Sequence, residues 1–419
     1  MTGPDAALAA RVAGHFNDDP PERLGVAVSG GSDSLALLFL LQEWQRSGGP
    51  VLHAVTVDHG LRPDAAAEAM QVERICGQLG IAHVTLHWRG WDGKGNLPDH
   101  ARRARYRLIA DWAEANGVRD VAIGHTRDDQ AETFLMRLAR GAGLDGLSAM
   151  RARWTDGRVT FHRPMLGLGR ATLQEYLRAR GQTWTDDPTN ADTAYERPRA
   201  RAALAALAPL GLDADKLSTV AQTLAEARTA LYHAAHAALR DLGDIEAGDL
   251  LLHHDGFNAV PDDVARRVLQ AALRWLSGAD YVPRGQALTN LLVAARAGQA
   301  MTLQGCLLLP AQHGRLRLTR EFDAVKALRA PAHALWDGRW RADGPDITGD
   351  IEIAALGPEG LARCPDWRGS GLPHASALAT PGLWKGSTLV AAPLMGWTNG
   401  WTLKLDRDRD KLLAMLLSH

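Results

Sequence analysis

The chain has 419 residues, 46% of them hydrophobic and 23% charged, with a formal net charge of −1. That length exceeds one ordinary domain and the composition is that of a core-forming globular protein, so a single small module and a disordered tail are excluded. A near-zero charge gives no general electrostatic drive towards nucleic acid, although a local basic surface stays compatible with it.

Residues 1–20 mix Asp5, Arg11, His15, Asp18 and Asp19 with short apolar stretches and lack the basic start and continuous apolar run of a secretory signal. The most apolar run, Leu35 to Leu41, is far short of the roughly 20 residues a membrane-spanning helix needs, so the expectation is a cytoplasmic protein. Next, Leu24 to Ser29 reads as a strand entering Gly30-Gly31, and Ser34 to Arg46 as a helix with Leu37, Leu38, Leu41 and Trp44 on its apolar face. Val51 to Val57 and Ala82 to His87 are further strands around a helix over Ala65 to Leu79. Arg102 to Asn116 reads as a helix closed by Gly117, and Val121 to Gly124 as a strand feeding a helix that starts near Asp128. This alternation predicts an α/β fold, a doubly wound and mostly parallel sheet with helices on both faces.

After Pro209 the pattern turns helical, over Asp213 to Leu242, Pro261 to Leu276 and Gly285 to Ala297, with a hairpin around Gln312-His313-Gly314. From Ala330 onward Pro, Gly and Trp punctuate short segments, as expected of a small β-rich or mixed terminal domain. The expected division is 1–209, 210–325 and 326–419. Cys76, Cys306 and Cys364 are widely separated and form no Cys-x-x-Cys pair, which argues against a disulfide framework, a structural zinc site and a dithiol centre. Asp58, His59, His53 and His83 share no spacing that would converge on a transition metal.

The sharpest local signal is Ser29-Gly30-Gly31-Ser32-Asp33-Ser34, between the first strand and its helix. Two glycines permit close backbone approach, N–H groups at a helix start favour an anion, and three hydroxyls add donors, so a phosphate or pyrophosphate fits. Asp33 would repel a bare phosphate and is suited to a bridging Mg²⁺. The plain alternative is a tight turn with Ser32 or Asp33 capping the helix. The turn matches neither the G-x-G-x-x-G pattern nor a Walker loop. Asp129 and Glu132, three apart near a helix start, can face one pocket, or can compensate the helix dipole. His125 is open between contact with phosphate or base and satisfaction of its own loop. Val57 and Gly124, at strand ends, are candidates for an adenine pocket. Arg151, Arg153, Arg163, Arg170, Arg178 and Arg180 make residues 150–181 locally basic, either for phosphate contacts or as a solvated surface.

The Ser-Gly-Gly-x-Asp-Ser turn resembles the pyrophosphate loop of the N-type ATP pyrophosphatases. Several further motifs resemble one branch of them, the tRNA(Ile)-lysidine synthetases. They are Val57-Asp58-His59-Gly60-Leu61-Arg62-Pro63, Ala101-Arg102-Arg103-Ala104-Arg105-Tyr106, and Gly124-His125-Thr126-Arg127-Asp128-Asp129-Gln130-Ala131-Glu132-Thr133. Arg140 to Leu147, Arg163-Pro164-Met165-Leu166 and Trp184-Thr185-Asp186-Asp187-Pro188-Thr189-Asn190 follow in order. Two places depart from the pattern. Pro98 stands where many members carry Glu, and Tyr195-Glu196-Arg197-Pro198-Arg199 replaces the usual Arg-Asn-x-x-Arg ending.

The resemblance implies an ATP-dependent ligase that adenylates the wobble cytidine of the CAU anticodon of tRNA(Ile), after which L-lysine displaces AMP. It implies ATP held by residues 29–34, Mg²⁺ on Asp33, an α-phosphate guanidinium from Arg105 (or Arg102 on the same helix), and lysine on Asp129 and Glu132. It also implies two tRNA-serving domains after the catalytic one. A tRNA thiolase of the same superfamily and a non-catalytic nucleotide-binding protein are the alternatives, the first disfavoured by the cysteine pattern.

Overall fold

The computed structural model describes residues 4–60, 65–91, 95, 97–185, 196–279, 281, 283–345, 347 and 350–417. The chain forms two compact units, Met1–Glu226 and Ala227–His419.

In the first unit, helix α1 (Pro4–Ala13) precedes strand β1 (Arg23–Ala27), helix α2 (Ser32–Arg46), β2 (Val51–Asp58), α3 (Ala65–Leu79) and β3 (Ala82–His87). Helix α4 (Leu97–Ala115), β4 (Asp120–Ile123), α5 (Arg127–Ala139), the single turn α6 (Leu144–Leu147), β5 (Arg153–Asp156) and β6 (Val159–His162) follow. Helices α7 (Arg170–Ala179) and α8 (Glu196–Leu207) lead into α9 (Ala214–Leu242), which runs through the division between the units. The sheet order is β3-β2-β1-β4-β6-β5, parallel throughout except for the edge hairpin of β5 on β6.

Burial explains the layering. Helix α2 is apolar nearly all round because it sits between sheet and outer helices: Leu35, Leu37, Leu38, Leu40 and Leu41 are fully buried beside Leu24, Val26, Leu173 and Leu177. On the opposite face, Ile109 and Ala113 of α4 pack with Val55, Val121, Val159 and Phe161. Covered on both faces, the central strands read as continuous apolar runs, the expected mark of a parallel sheet. The chain passes from β1 to one neighbour and later returns to the other, so the carboxyl ends of β1 and β4 flank a topological switch point, where open α/β sheets bind ligands.

The second unit contains the short helix α10 (His254–Ala259), which the sequence did not announce, the expected helices α11 (Asp262–Ser277) and α12 (Gln286–Arg296), and with them a five-stranded antiparallel sheet. Its strands are β7 (Gly243–Glu246), β8 (Asp249–His253), β9 (Met301–Leu303), β10 (Cys306–Gln312) and β11 (Arg315–Arg320), in the order β7-β8-β11-β10-β9. The hairpin at His313-Gly314 is present, and both residues have positive φ, as a two-residue turn requires. Residues 329–331, 352–355, 381–385 and 388–391 make a four-stranded antiparallel sheet, and Trp340–Asp343 pairs with Thr402–Leu405. Trp336, Trp340 and Trp401 fill the core there. Among the described residues no helix is long and apolar enough to cross a membrane.

Candidate functional site

The turn after β1 is built for close approach. Gly30 has φ +86, a left-handed conformation open to glycine, while Gly31 is the N-cap of α2 and supplies no side-chain cap. Leu35 N–H already donates to Gly31 O, so the preceding first-turn N–H groups are left for an outside acceptor. Ser34 closes the loop on itself: its Oγ accepts from Ser29 N at 3.0 Å, lies 3.2 Å from Ser29 Oγ, and donates to Gly31 O at 3.0 Å. Thr185 N–H donates to Gly30 O, which brings the Trp184-Thr185 segment against the turn. Asp186 to Asn190, Leu61 to Pro63 and Tyr195 of the sequence motifs lie outside the described residues, as does the side chain of Pro98.

Val57 and Gly124 end up beside this turn by register. Ala27 pairs with Val55 on one side and Ile123 on the other, so both candidates lie just past the strand partners of the residue that leads into the loop. Gly124 has a further reason to be glycine: a Cβ there would stand 3.0 Å from Ser34 N and Cα and 3.1 Å from the Asp33 carbonyl carbon. The end of β4 rests directly on the backbone of the first turn of α2.

Asp33, Asp129 and Glu132 come together, and a residue assigned only to the basic stretch joins them. Arg170, first in α7, donates from Nε to Asp33 Oδ2 at 3.0 Å, from one terminal nitrogen to Glu132 Oε1 at 3.1 Å, and from the other to Asp129 Oδ1 at 3.3 Å. Its backbone N–H donates to Asp128 Oδ2 at 2.7 Å, so α5 caps the first turn of α7, whose own N-cap Gly169 offers no side chain. Asp129 also answers the helix-start alternative: Thr126 and Asp129 form a capping box, with Asp129 Oδ2 accepting from Thr126 N–H at 2.8 Å. One oxygen of Asp129 caps the helix and the other faces the cluster. Gln130 ties the same helix to Leu166 O, Ser218 Oγ and Met150 N–H.

The cluster is deeply placed. The side chains of Asp129 and Glu132 are 7% and 1% exposed, so protein cations rather than water must neutralise them. Arg201 donates to Glu132 Oε1 at 2.6 Å, and Arg197 stands 3.9 Å from Asp129. These two arginines keep the Arg-x-x-x-Arg spacing of the expected ending, so the departure read at 195–199 comes down to Pro198 in place of Asn. Glu132 Oε2 is buried without a hydrogen-bond partner among the described residues. Burial raises the Asp33 carboxyl above its ordinary range despite Arg170. Burial acts the same way on Asp129, but Arg170, Arg197 and the Thr126 N–H hold it below that range.

Arg105 does not join the acids. Its guanidinium donates to His59 Nε2 at 3.1 and 3.2 Å, whereas Arg102 lies over the Tyr106 ring, 5.2 Å from the centroid. His59 is pushed down to about 4 by burial, with Arg105 adding, and is a neutral acceptor. His125, at the end of β4, is pushed down to about 3 by burial, against Asp129 and with Arg163, Arg197 and Arg102. Arg163 donates to its Nδ1 at 3.1 Å and stacks over Trp154 at 4.0 Å, which leaves Nε2–H as the outward donor. The sequence motif at Arg163 marked this support without revealing its partner.

Among the described residues no group of three or more His, Cys, Asp or Glu side chains is arranged to enclose a metal ion. The loop offers hard oxygen donors, the Asp33 carboxylate with neighbouring serine hydroxyls, and Ser32 Oγ is 3.3 Å from Asp33 Oδ1. Such a set fits a divalent cation that keeps most of its ligands from phosphate and water.

The PP-loop domain family matches residues 4–208. The chain is 50% identical over 404 residues to a tRNA(Ile)-lysidine synthase of Ruegeria pomeroyi, covering 96% of each. It is 38% identical over 348 residues to one of Mesorhizobium japonicum, covering 80% of this chain and 76% of that one. Among solved structures, the U34-tRNA thiolase NcsA from Methanococcus maripaludis matches with TM-score 0.46 and 17% identity, over 53% of this chain and 78% of that one.

Proposed function

The chain belongs to the family of tRNA(Ile)-lysidine synthases, and from this we propose that it ligates L-lysine to the wobble cytidine of the CAU anticodon of tRNA(Ile). ATP adenylates the cytidine carbonyl oxygen with release of pyrophosphate, and the lysine ε-amine then displaces AMP at the same ring carbon. The first step is needed because the amide-like oxygen is a poor leaving group and AMP a good one.

The observation that carries this reading is a glycine turn at a helix N-terminus joined directly to a buried acid cluster at the carboxyl ends of the central strands. Ser29, Gly30, Gly31, Ser32 and Ser34 hold the phosphates of ATP through backbone N–H and hydroxyl groups, with Val57 and Gly124 beside the adenine. Asp33 holds Mg²⁺, which supplies charge neutralisation to the departing pyrophosphate when bound. Asp129 Oδ1 and the unpartnered Glu132 Oε2 accept from the ammonium groups of lysine. Arg105 faces the α-phosphate and has His59 as its resting partner.

The RNA approaches over the ends of β2 and β3. There His59, Trp88, Trp91 and His100 form a chain of ring contacts with centroids 5.3 to 6.3 Å apart, the kind of surface on which unpaired bases stack. Residues 210–325 and 326–419 serve the tRNA, and the reaction takes place in the cytoplasm. The three cysteines are free and buried, and burial holds the Cys76 and Cys306 thiols up at about 11, so neither supplies a thiolate for sulfur transfer.

Incubation with unmodified isoleucine tRNA, ATP and radiolabelled lysine should yield acid-precipitable label that depends on all three components. Label that stays soluble while ATP is consumed would remove the ligase reading.

A further inference from the structure

Among the described residues, Arg170 is the one side chain that touches the acid assigned to the metal and both acids assigned to lysine. Its position is fixed twice over. The backbone is held by Asp128, and the guanidinium is fitted to three carboxylates from two different helices. A planar five-donor fork can satisfy such a set, whereas a lysine ammonium could reach only part of it.

We propose that Arg170 is a positioning residue that acts as the resident counter-cation of the site, standing where the metal and the substrate ammonium take their charge. This rests on the assignment of Asp33 to the metal and of Asp129 and Glu132 to lysine. Without a resident cation the ligand-free chain would carry two nearly inaccessible carboxylates and a third beside them, with Arg201 and Arg197 in support. With Arg170 present, metal arrival at Asp33 exchanges one guanidinium hydrogen bond for a cation contact. Arg170 keeps its bonds to Asp129 and Glu132 during that exchange, so the lysine half of the site stays shaped while the nucleotide half fills.

The signature is a pair of effects with opposite sign. Removing Arg170 takes a partner from buried carboxylates and lowers stability, yet it also removes a competitor and strengthens cation binding. An ordinary structural ion pair would weaken both.

The test titrates Mn²⁺ into the full-length protein at saturating α,β-methylene ATP and reads free Mn²⁺ by electron paramagnetic resonance. Arg170→Gln should bind Mn²⁺ about tenfold tighter than the parent while melting at a lower temperature, and Arg170→Lys should fall between. Weaker or unchanged Mn²⁺ binding in Arg170→Gln overturns the proposal. Asp33→Asn serves as the reference: if it leaves Mn²⁺ binding intact, Asp33 is not the metal acid, and both that assignment and this inference fall together. Should Arg170→Gln not fold, the parent protein answers through the ¹⁵N resonance of Arg170 Nε, identified by its loss in Arg170→Lys. That resonance should move when Mg²⁺ and α,β-methylene ATP are added together, and a signal that stays put overturns the proposal.

Discussion

Glu132 binds Arg170 and Arg201 through one carboxylate oxygen and keeps the other buried and, among the described residues, unpartnered, so its charge is neutralised while an acceptor remains for a ligand. Replacing Glu132 by Gln, or Asp129 by Asn, keeps shape and removes charge. Losing one partner of a buried charge pair costs about 2–5 kcal/mol, so lysine use should fall well over tenfold while tRNA adenylation continues and the adenylated intermediate accumulates. If both variants lose adenylation and still bind lysine, the acids belong to the nucleotide instead. The spacing of Asp129 and Glu132 was readable in the sequence because it is local to one helix turn. Arg170 was not, since 137 residues separate it from Asp33 and only the folded sheet order brings α7 to α2. What marked it locally was its place as the first residue of a helix with Leu173, Tyr176 and Leu177 buried, directly after the Arg163-Pro164-Met165-Leu166 motif. The histidines carry a pH consequence. His15, His59 and His125 titrate at about 4, 4 and 3 in the fold, all lowered first by burial, against 6.5 when unfolded. The unfolded chain therefore binds more protons between those values, and the stability these groups contribute is present above 6.5 and lost as pH falls towards 4. Denaturant melts of the parent across pH 4 to 7 should show the decline. His125→Gln and His59→Gln should flatten it, and an unchanged slope in both would remove these residues as its source.

At the scale of the element, the turn and the strand end beside it need glycine for different reasons. Among the described residues a Cβ on Gly31 would meet nothing nearer than Ser29 Oγ at 3.8 Å, so these leave room for a side chain there and a bound ligand would resent it. On Gly124 the obstacle is the backbone of Asp33 and Ser34, which cannot rotate away. Gly31→Ala should therefore melt close to the parent and lose ATP affinity, whereas Gly124→Ala should lose stability and ATP affinity together. Calorimetric titration with ATP alongside thermal melts decides it, and normal ATP affinity in Gly31→Ala would show that the phosphates do not approach that backbone. Element boundaries in the first unit were legible because apolar runs of buried strands and Gly117, which closes α4 at positive φ, are local signals. Strands β7 and β8 escaped because they are short and follow a 29-residue helix with no intervening loop, and their pairing turns on Ala247-Gly248, both at positive φ. Alanine seldom accepts that conformation, so the turn carried no recognisable signal.

At the scale of the molecule, the second unit has a core whose parts lie far apart in sequence. Leu412 and Leu416, from the helix Arg409–Leu417, are buried with Trp275, Leu276, Leu291 and Leu318, and Trp275 Nε1–H donates to Arg407 O while Arg407 donates back to Trp275 O. The last helix thus completes the middle region, a link no local pattern could announce because Trp275 and Arg407 are separated by 132 residues. The consequence is a way to separate the roles of the two units by one buried side chain instead of a truncation that would strip the middle core. Leu412→Ala opens a cavity in the second unit and should cost about 2–5 kcal/mol there, as large-to-small core changes do. The residues of the phosphate turn and the acid cluster all lie within Met1–Glu226. If the second unit serves the tRNA, lysine incorporation into tRNA should fall at temperatures where the second unit has begun to melt. Binding of α,β-methylene ATP should persist there. Hydrogen exchange on the same sample locates the loss, with protection lowered in 262–277 and 409–417 and retained in 23–46. Loss of nucleotide binding in step with tRNA use would mean that the two units melt as one and that the second is needed for the site itself.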